Sequence, residues 1–123
     1  MLERVRVAAA AVDAKPGDVK ANLEKIDLWT SRAAADGARL VVFPELSLSG
    51  FIPNHPSQNH ETWLRRALAE ARRTAIGLTS LEVEALRAIA ARHRVLVSAG
   101  MLEDAGNVLY NTQLLVGPDG TLG

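Results

Sequence analysis

The sequence RLVVFPELSLSGF, residues 39–51, decides how this chain folds. Leu40 to Phe43 is an unbroken apolar run of strand-forming residues, which is typical of a central strand covered on both faces. Pro44 cannot donate to a sheet ladder, so the strand should end there and leave Glu45 just beyond its carboxyl end. Ligands of open α/β sheets usually bind at that position. The spacing therefore makes Glu45 a candidate functional residue.

The chemistry open to Glu45 depends on how far its side chain is removed from water. A partly desolvated carboxyl group has a raised pKa and is prepared to accept a proton near neutral pH. We expect Glu45 to be partly desolvated because it follows a buried strand. The alternative is an ordinary surface glutamate in a loop, which is the commoner case when spacing alone is considered.

The residues before this stretch predict a βαβ unit. Val5 to Val12 is interpreted as a buried first strand, and Asp18 is placed to cap the helix that follows. Gly37 can adopt a positive φ and end that helix just before the second strand. Such a unit should be parallel and right-handed. The inward stripe of the helix is predicted to consist of Val19, Leu23, Ile26, Ala33 and either Thr30 or Trp29.

Trp29 lies close to that stripe, and we therefore expect it to be a core anchor. After Phe51, residues 52–60 are polar and interrupted by proline, which predicts a loop that is placed to shape the mouth of a site. A helix should then run from about His60 to Ala75. Its inward residues are predicted to be Leu64, Leu68, Ala71 and Ala75.

The last third of the chain predicts one more helix and two strands. Thr79-Ser80-Leu81-Glu82 is a capping-box signature at the start of the helix. Val95 to Gly100 and Val108 to Val116 are predicted to form an antiparallel hairpin. Gly117-Pro118-Asp119-Gly120 is a turn into a returning strand.

Composition excludes several classes of function. Fourteen basic and fourteen acidic side chains cancel, which gives no support for a nucleic-acid surface or an anionic membrane as partner. The absence of cysteine excludes a disulfide framework and thiolate metal sites. Asp13 and Lys15 interrupt the apolar run near the N-terminus, which is too short for an export signal or a membrane span. We expect a cytoplasmic protein.

Three further motifs predict neither a cofactor site, a serine nucleophile nor a metal site. Lys15-Pro16-Gly17-Asp18 lacks the glycine pattern of a dinucleotide-binding turn. Ser49 is not in a nucleophile elbow and is interpreted as a loop residue. His55 and His60 lack a third ligand, so no metal site is predicted.

Several segments resemble one known family. Phe43-Pro44-Glu45-Leu46 followed by Ser49-Gly50-Phe51 resembles the segment around the catalytic glutamate of the nitrilase superfamily, the carbon–nitrogen hydrolases. Similar segments occur in register from the first strand to the fourth. They are Val5 to Ala11, Gly17-Asp18 with Asn22-Leu23, Ala38 to Phe43, Val95 to Gly100, and Tyr110-Asn111-Thr112 through Gly120. Ala11 departs from the family, which often has glutamine there.

The resemblance implies an α/β fold, the N-terminal half of a nitrilase-like four-layer α-β-β-α sandwich. Residues 1–123 would be a carbon–nitrogen hydrolase domain truncated at its C-terminal end. The family's site is a Glu-Lys-Cys triad without a cofactor, and it acts on non-peptide amides, carbamoyl compounds or nitriles. Glu45 matches the general base, while the lysine and the cysteine have no counterpart in these 123 residues. The chain alone should therefore be inactive.

Two alternatives remain beside this hypothesis. A binding or assembly module could retain the front half of the fold without the chemistry, and its open sheet would then favour association with itself or another chain. An unrelated parallel α/β domain would make Glu45 incidental. For the hydrolase we expect a small-molecule substrate and a homo-oligomer, with Asn111 and Thr112 in structural roles.

Overall fold

The computed structural model describes residues 3–52 and 59–123. Four strands form one sheet in the order β1-β2-β3-β4, in which β1, β2 and β3 are parallel and β4 is antiparallel to β3. This confirms the predicted mixed α/β class, the parallel βαβ unit and the C-terminal hairpin. The elements are β1 (Val7–Ala9), α1 (Val19–Ala35), β2 (Leu40–Val42), α2 (His60–Thr74), α3 (Leu81–His93), β3 (Leu96–Asp104) and β4 (Leu109–Val116).

One face of the sheet forms the core. Val41, Val97 and Val116 are aligned across β2, β3 and β4, and all three are fully buried. Helices α1 and α3 contribute Ile26, Leu86 and other apolar side chains to the same cluster. The core therefore lies between this face and the two helices.

The opposite face of the sheet keeps apolar side chains in contact with solvent. Val7 on β1 is 53% exposed and Leu115 on β4 is 45% exposed. Val42 lies between them and is also exposed. The expected burial of the whole first strand is therefore wrong, because β1 is a three-residue edge strand with only one neighbour.

Helix α1 begins and ends as predicted, and its predicted inward residues Val19, Leu23, Ile26 and Ala33 lie in the core or pack against it. The Asp18 side chain accepts a hydrogen bond from the Ala21 N–H at 3.1 Å, which confirms the cap. Trp29 is not a core anchor, since it is 38% exposed and packs against the Arg32 guanidinium. Thr30, the other residue considered for this place on the stripe, is buried together with Asn22 and Ile26, as expected for residues four apart on one helix face.

Helix α2 is less buried than its sequence suggests. Ala71 faces inward as predicted, but Leu64 and Leu68 are 44% and 53% exposed, so their predicted burial is wrong. The next helix, α3, is capped by Ser80, whose hydroxyl accepts from the Val83 N–H at 3.2 Å. This cap lies one residue after Thr79, the first residue of the capping-box signature.

Strand β3 is longer than expected and organises the region after β2. It continues to Asp104, and its far end pairs with Ile76, which precedes α3. Ile76 donates to the Leu102 carbonyl at 2.8 Å and accepts from the Asp104 N–H at 2.9 Å. Between β2 and Ile76, the same edge of β3 binds the turn that carries Glu45.

Candidate functional site

Glu45 lies in a turn immediately after β2. The strand's pairing continues past its last residue, because the Phe43 N–H donates to the Ser98 carbonyl at 2.8 Å. Pro44 then ends the ladder as predicted, and residues 45–49 form a turn, which we call the Glu45 turn. Glu45 itself is exposed. The expected partial desolvation of its carboxylate is therefore not found in this chain.

The backbone of the Glu45 turn contains a strained residue. Leu46 has φ = 53°, a left-handed conformation that costs a residue with a side chain about 1–2 kcal/mol. The turn closes around it through two hydrogen bonds, Ser47 N–H to Pro44 O at 3.2 Å and Gly50 N–H to Leu46 O at 2.7 Å. Such strain persists only where the surroundings hold the backbone in place.

Strand β3 holds the Glu45 turn from one side. The Ser47 and Ser49 hydroxyls accept hydrogen bonds from the Gly100 N–H at 3.0 Å and the Leu102 N–H at 2.9 Å. Between them, the Leu48 N–H donates to the Gly100 carbonyl at 2.8 Å. The two serines, both buried, thus replace the carbonyl acceptors of a neighbouring strand. Ser49, interpreted from the sequence as a loop residue, thus lies in a turn and binds the backbone of β3.

Gly100 allows the close approach of the turn to β3. A methyl group at this position would lie 2.4 Å from the Leu46 nitrogen and 3.1 Å from the Glu45 carbonyl carbon. Real Cβ atoms essentially never approach a backbone atom that closely. Any larger residue would therefore displace the segment that carries Glu45.

The loop before α1 holds the Glu45 turn from the other side. The Asn22 carboxamide donates to the Leu48 carbonyl at 2.9 Å, and the Gly17 N–H donates to the Ser49 carbonyl at 2.9 Å. Gly50 packs directly on this loop, since a methyl group there would lie 2.6 Å from the Pro16 Cα. The turn is thus enclosed between α1 and β3.

A third support comes from β4. The Gln113 carboxamide donates to the Phe43 carbonyl at 3.3 Å and to the Ser98 hydroxyl at 3.0 Å. Its neighbour Thr112 donates to the Glu103 carboxylate at 2.7 Å. That contact is consistent with the structural role expected of Thr112, while Asn111 is exposed.

Asn22, Ser47 and Gln113 were not identified from the sequence as supports of Glu45. A signal existed for Asn22, because a polar residue four positions before Ile26 on an apolar stripe must be buried and needs partners. The contacts of Ser47 with Gly100 and of Gln113 with Phe43 depend on strand register, which cannot be predicted from the local sequence.

The two histidines considered as metal ligands, His55 and His60, are not placed beside Glu45 by the described part of the structure. His55 lies outside the described residues, and His60 begins α2, where its ring stacks on Trp63. Within residues 3–52 and 59–123, no group of three His, Cys, Asp or Glu side chains could hold a metal ion. Over the same ranges no helix has the length and apolar character needed to cross a membrane.

A groove of about 360 Å³ lies between the N-terminal halves of α1 and α3. Val19 and Leu23 line one side of it, and Leu81 and Ala85 line the other. None of its lining residues belongs to the Glu45 turn. The groove is therefore separate from the candidate site.

Comparison with known proteins shows a consistent similarity. A family model described as carbon–nitrogen hydrolase matches residues 6–123. The bromoxynil-specific nitrilase of Klebsiella pneumoniae subsp. ozaenae is 37% identical over 114 residues, which cover 91% of this chain and 32% of that protein. An aliphatic nitrilase of Sinorhizobium fredii is 32% identical over 127 residues, which cover 99% of this chain and 41% of that protein. The chain thus spans about a third to two fifths of the length of these relatives.

Solved structures show the same fold. The NitN amidase from Nesterenkonia sp. AN1 superposes with a TM-score of 0.74 at 24% identity, covering 97% of this chain and 42% of that one. Another structure of the amidase from this source shows acrylamide added at its active-site cysteine. At this level of identity the superposition shows a shared fold. The four-stranded sheet and its helices are therefore those of the nitrilase fold, as the sequence predicted.

Proposed function

The chain belongs to the carbon–nitrogen hydrolase family, and from that premise we propose that it carries the glutamate of a nitrilase- or amidase-type active site. Glu45 is the general base. The cysteine of the site comes from residues outside these 123, because the chain contains none. The lysine does so too, because in the family it follows the hairpin that ends at Gly120, and the chain spans less than half the length of its relatives. Taken alone, the chain is then inactive.

The observation that carries this proposal is the support given to the Glu45 turn. A surface glutamate in an ordinary loop needs no particular backbone geometry. Here the strained Leu46 is kept in place by contacts from α1, β3 and β4. Strained residues cluster at active sites, where they help to fix the direction of a functional group. The exposure of Glu45 in this chain leaves its carboxylate accessible to a thiol, a water molecule and a substrate.

The proposed reaction assigns one task to each side chain. The cysteine thiol transfers its proton to Glu45, and the thiolate adds to the carbon of the amide or nitrile. The lysine stabilises the negative charge that develops on the substrate. For an amide, ammonia leaves with the proton from Glu45, and a thioester remains. For a nitrile, the addition gives a thioimidate, and one water molecule adds to it before ammonia leaves and the same thioester remains. Glu45 then takes a proton from the water that attacks the thioester and returns it to the departing thiolate, so that the acid and the free thiol are released.

The proposed substrate is a small-molecule nitrile or amide. Both curated relatives described above are nitrilases, whereas the solved neighbour is an amidase. Carbamoyl compounds have the same carbonyl–nitrogen bond and form a third class. We place the protein in the cytoplasm as a homo-oligomer.

A second candidate function is a binding or assembly module. The exposed apolar residues on the open sheet face, among them Val42 and Leu115, favour it, since such residues are commonly covered by another surface. A second copy of this chain would be the occupant. This candidate requires no turnover.

The first prediction is ammonia release. A polypeptide that contains this chain together with the lysine and the cysteine should release ammonia from members of a panel of nitriles and amides, and the 123-residue chain alone should release none. Ammonia is measured over time with matched protein concentrations. Turnover by the isolated chain would contradict the Glu-Lys-Cys assignment. No release from any member of the panel by the longer polypeptide would favour the assembly module.

A further inference from the structure

Two carboxamide side chains bind the backbone on opposite sides of Glu45. Gln113 of β4 donates to the carbonyl of Phe43, two residues before Glu45, at 3.3 Å. Asn22 of α1 donates to the carbonyl of Leu48, three residues after it, at 2.9 Å. The segment that carries Glu45 is therefore held at both ends by side chains from distant parts of the sequence.

The Asn22 side chain forms its hydrogen bonds with backbone groups. It is 1% exposed, and its second donor contact is to the Lys15 carbonyl at 2.9 Å. Its carboxamide oxygen accepts from the Lys15 N–H at 2.7 Å. One buried side chain thus joins the loop before α1 to the Glu45 turn, and its hydrogen-bond partners within the described part of the chain are all backbone groups.

Gln113 reaches the turn through the space that Gly100 leaves open. The two residues are directly opposite each other in the β3–β4 register. A methyl group at Gly100 would lie 2.8 Å from the Gln113 side-chain oxygen and 2.4 Å from the Leu46 nitrogen. The missing side chain therefore admits both the turn and the carboxamide. Since Leu114 faces the core, Gln113 lies on the open face of the sheet.

From this geometry we propose that Asn22 and Gln113 are positioning residues for Glu45, a role that rests on the proposed function. They hold the backbone of residues 43–48 in place, including Leu46 in its strained left-handed conformation. Without them the turn can relax, and the Glu45 carboxylate no longer points at the thiol and the water from which it takes protons. Substrate binding itself is left to other contacts, so the loss should fall on turnover.

The test uses a polypeptide that contains this chain with the lysine and the cysteine. Gln113→Leu removes the donor and keeps a similar volume. We expect kcat to fall about 10- to 100-fold, as for small misplacements of a catalytic group, while KM changes less than about threefold. The matched control is Thr112→Val on the same strand as Gln113, which loses one hydrogen bond to Glu103 of β3. It should keep kcat near the wild-type value.

Asn22→Ala is the second variant. Because Asn22 is buried, its replacement also lowers the free energy of unfolding, and the Gln113 variant therefore decides the outcome. The double variant should lower kcat by less than the product of the two single effects, because both act on one turn. Thermal unfolding is recorded for every variant so that kinetics are compared between folded proteins.

Glu45→Gln is measured in the same series and separates two kinds of failure. If Glu45→Gln is inactive while Gln113→Leu keeps kcat within about threefold of Thr112→Val, the positioning role is wrong and the proposed function stands. If Glu45→Gln keeps near-normal turnover, the proposed function is wrong and the positioning role falls with it.

Discussion

Gly100 is the residue on which the position of the Glu45 turn depends most directly. It lies in the middle of β3, and both of its backbone groups bind the turn. Its N–H donates to the Ser47 hydroxyl, and its carbonyl accepts from the Leu48 N–H. The sequence shows Gly100 only as the expected end of a strand. Its role depends on a close approach between two segments some fifty residues apart, which no local pattern contains.

We predict that Gly100→Ala lowers the free energy of unfolding by about 1–3 kcal/mol, the usual cost of overpacking a closely packed site. The added methyl group would meet the Leu46 nitrogen at 2.4 Å, and backbone cannot move aside as a flexible side chain can. Urea denaturation measures the change.

Gly77→Ala is the matched control for that experiment. A methyl group at Gly77 would meet its nearest atom, the Asp104 carbonyl oxygen, at 3.9 Å, which is an ordinary contact. Its stability should stay the same or rise by up to about 1 kcal/mol, since alanine restricts the unfolded chain. Equal destabilisation by both substitutions would contradict the account of Gly100.

For Asn22, the sequence indicates burial but not the hydrogen-bond partners. Its place on the stripe with Ile26 and Thr30 indicates burial, but its partners come from two loops whose relative position follows only from the fold. Asp18 was easier to predict, because a cap acts within one turn of its own helix. The hydrogen bond from the Ala21 N–H lowers the pKa of the Asp18 carboxyl group, since a hydrogen bond to the charged form favours that form.

At the scale of elements, β2, the hairpin and the inward face of α1 were predicted correctly, whereas the burial of β1 and of α2 was not. The apolar run of β2 and the hairpin of β3 and β4 follow from residue type and turn signals, which act locally. Helix α2 shows the limit of that approach. Its leucines have helical spacing, yet Leu64 and Leu68 are exposed, because periodicity shows that a helix is amphipathic without showing what it packs against.

We predict that Leu68→Ala and Leu86→Ala differ in their effect on the stability of this chain. Leu86 of α3 is fully buried, so its truncation should cost about 2–5 kcal/mol. Leu68 of α2 is 53% exposed, and its truncation should cost less than about 1 kcal/mol. Urea denaturation of the two variants gives the comparison. Equal costs would mean that α2 packs inward as its sequence suggested.

At the scale of the whole molecule, the fold is one sheet with a buried face and an open one. The buried face joins α1, α3 and all four strands into a single core. The open face carries Gln113 and exposed apolar residues such as Val42. In a four-layer α-β-β-α sandwich, this is the face that would meet the second sheet. The class of fold was predictable because many motifs occur in register. The exposure of Glu45 was not predictable from the sequence.

The central claim is that Glu45 is the general base of a carbon–nitrogen hydrolase. It is tested most directly by the kcat of Glu45→Gln in a polypeptide that contains this chain with the lysine and the cysteine. Glutamine has nearly the same size but cannot accept the thiol proton as a carboxylate does. We expect kcat to fall about 10²- to 10⁴-fold, the usual contribution of a general acid or base, with thermal stability unchanged.

Glu24→Gln is the control in that measurement, since Glu24 is an exposed glutamate on α1 outside the Glu45 turn. Its kcat should equal that of the wild type. A Glu45→Gln variant as active as Glu24→Gln would contradict the claim and leave Glu45 a surface residue of the loop after β2.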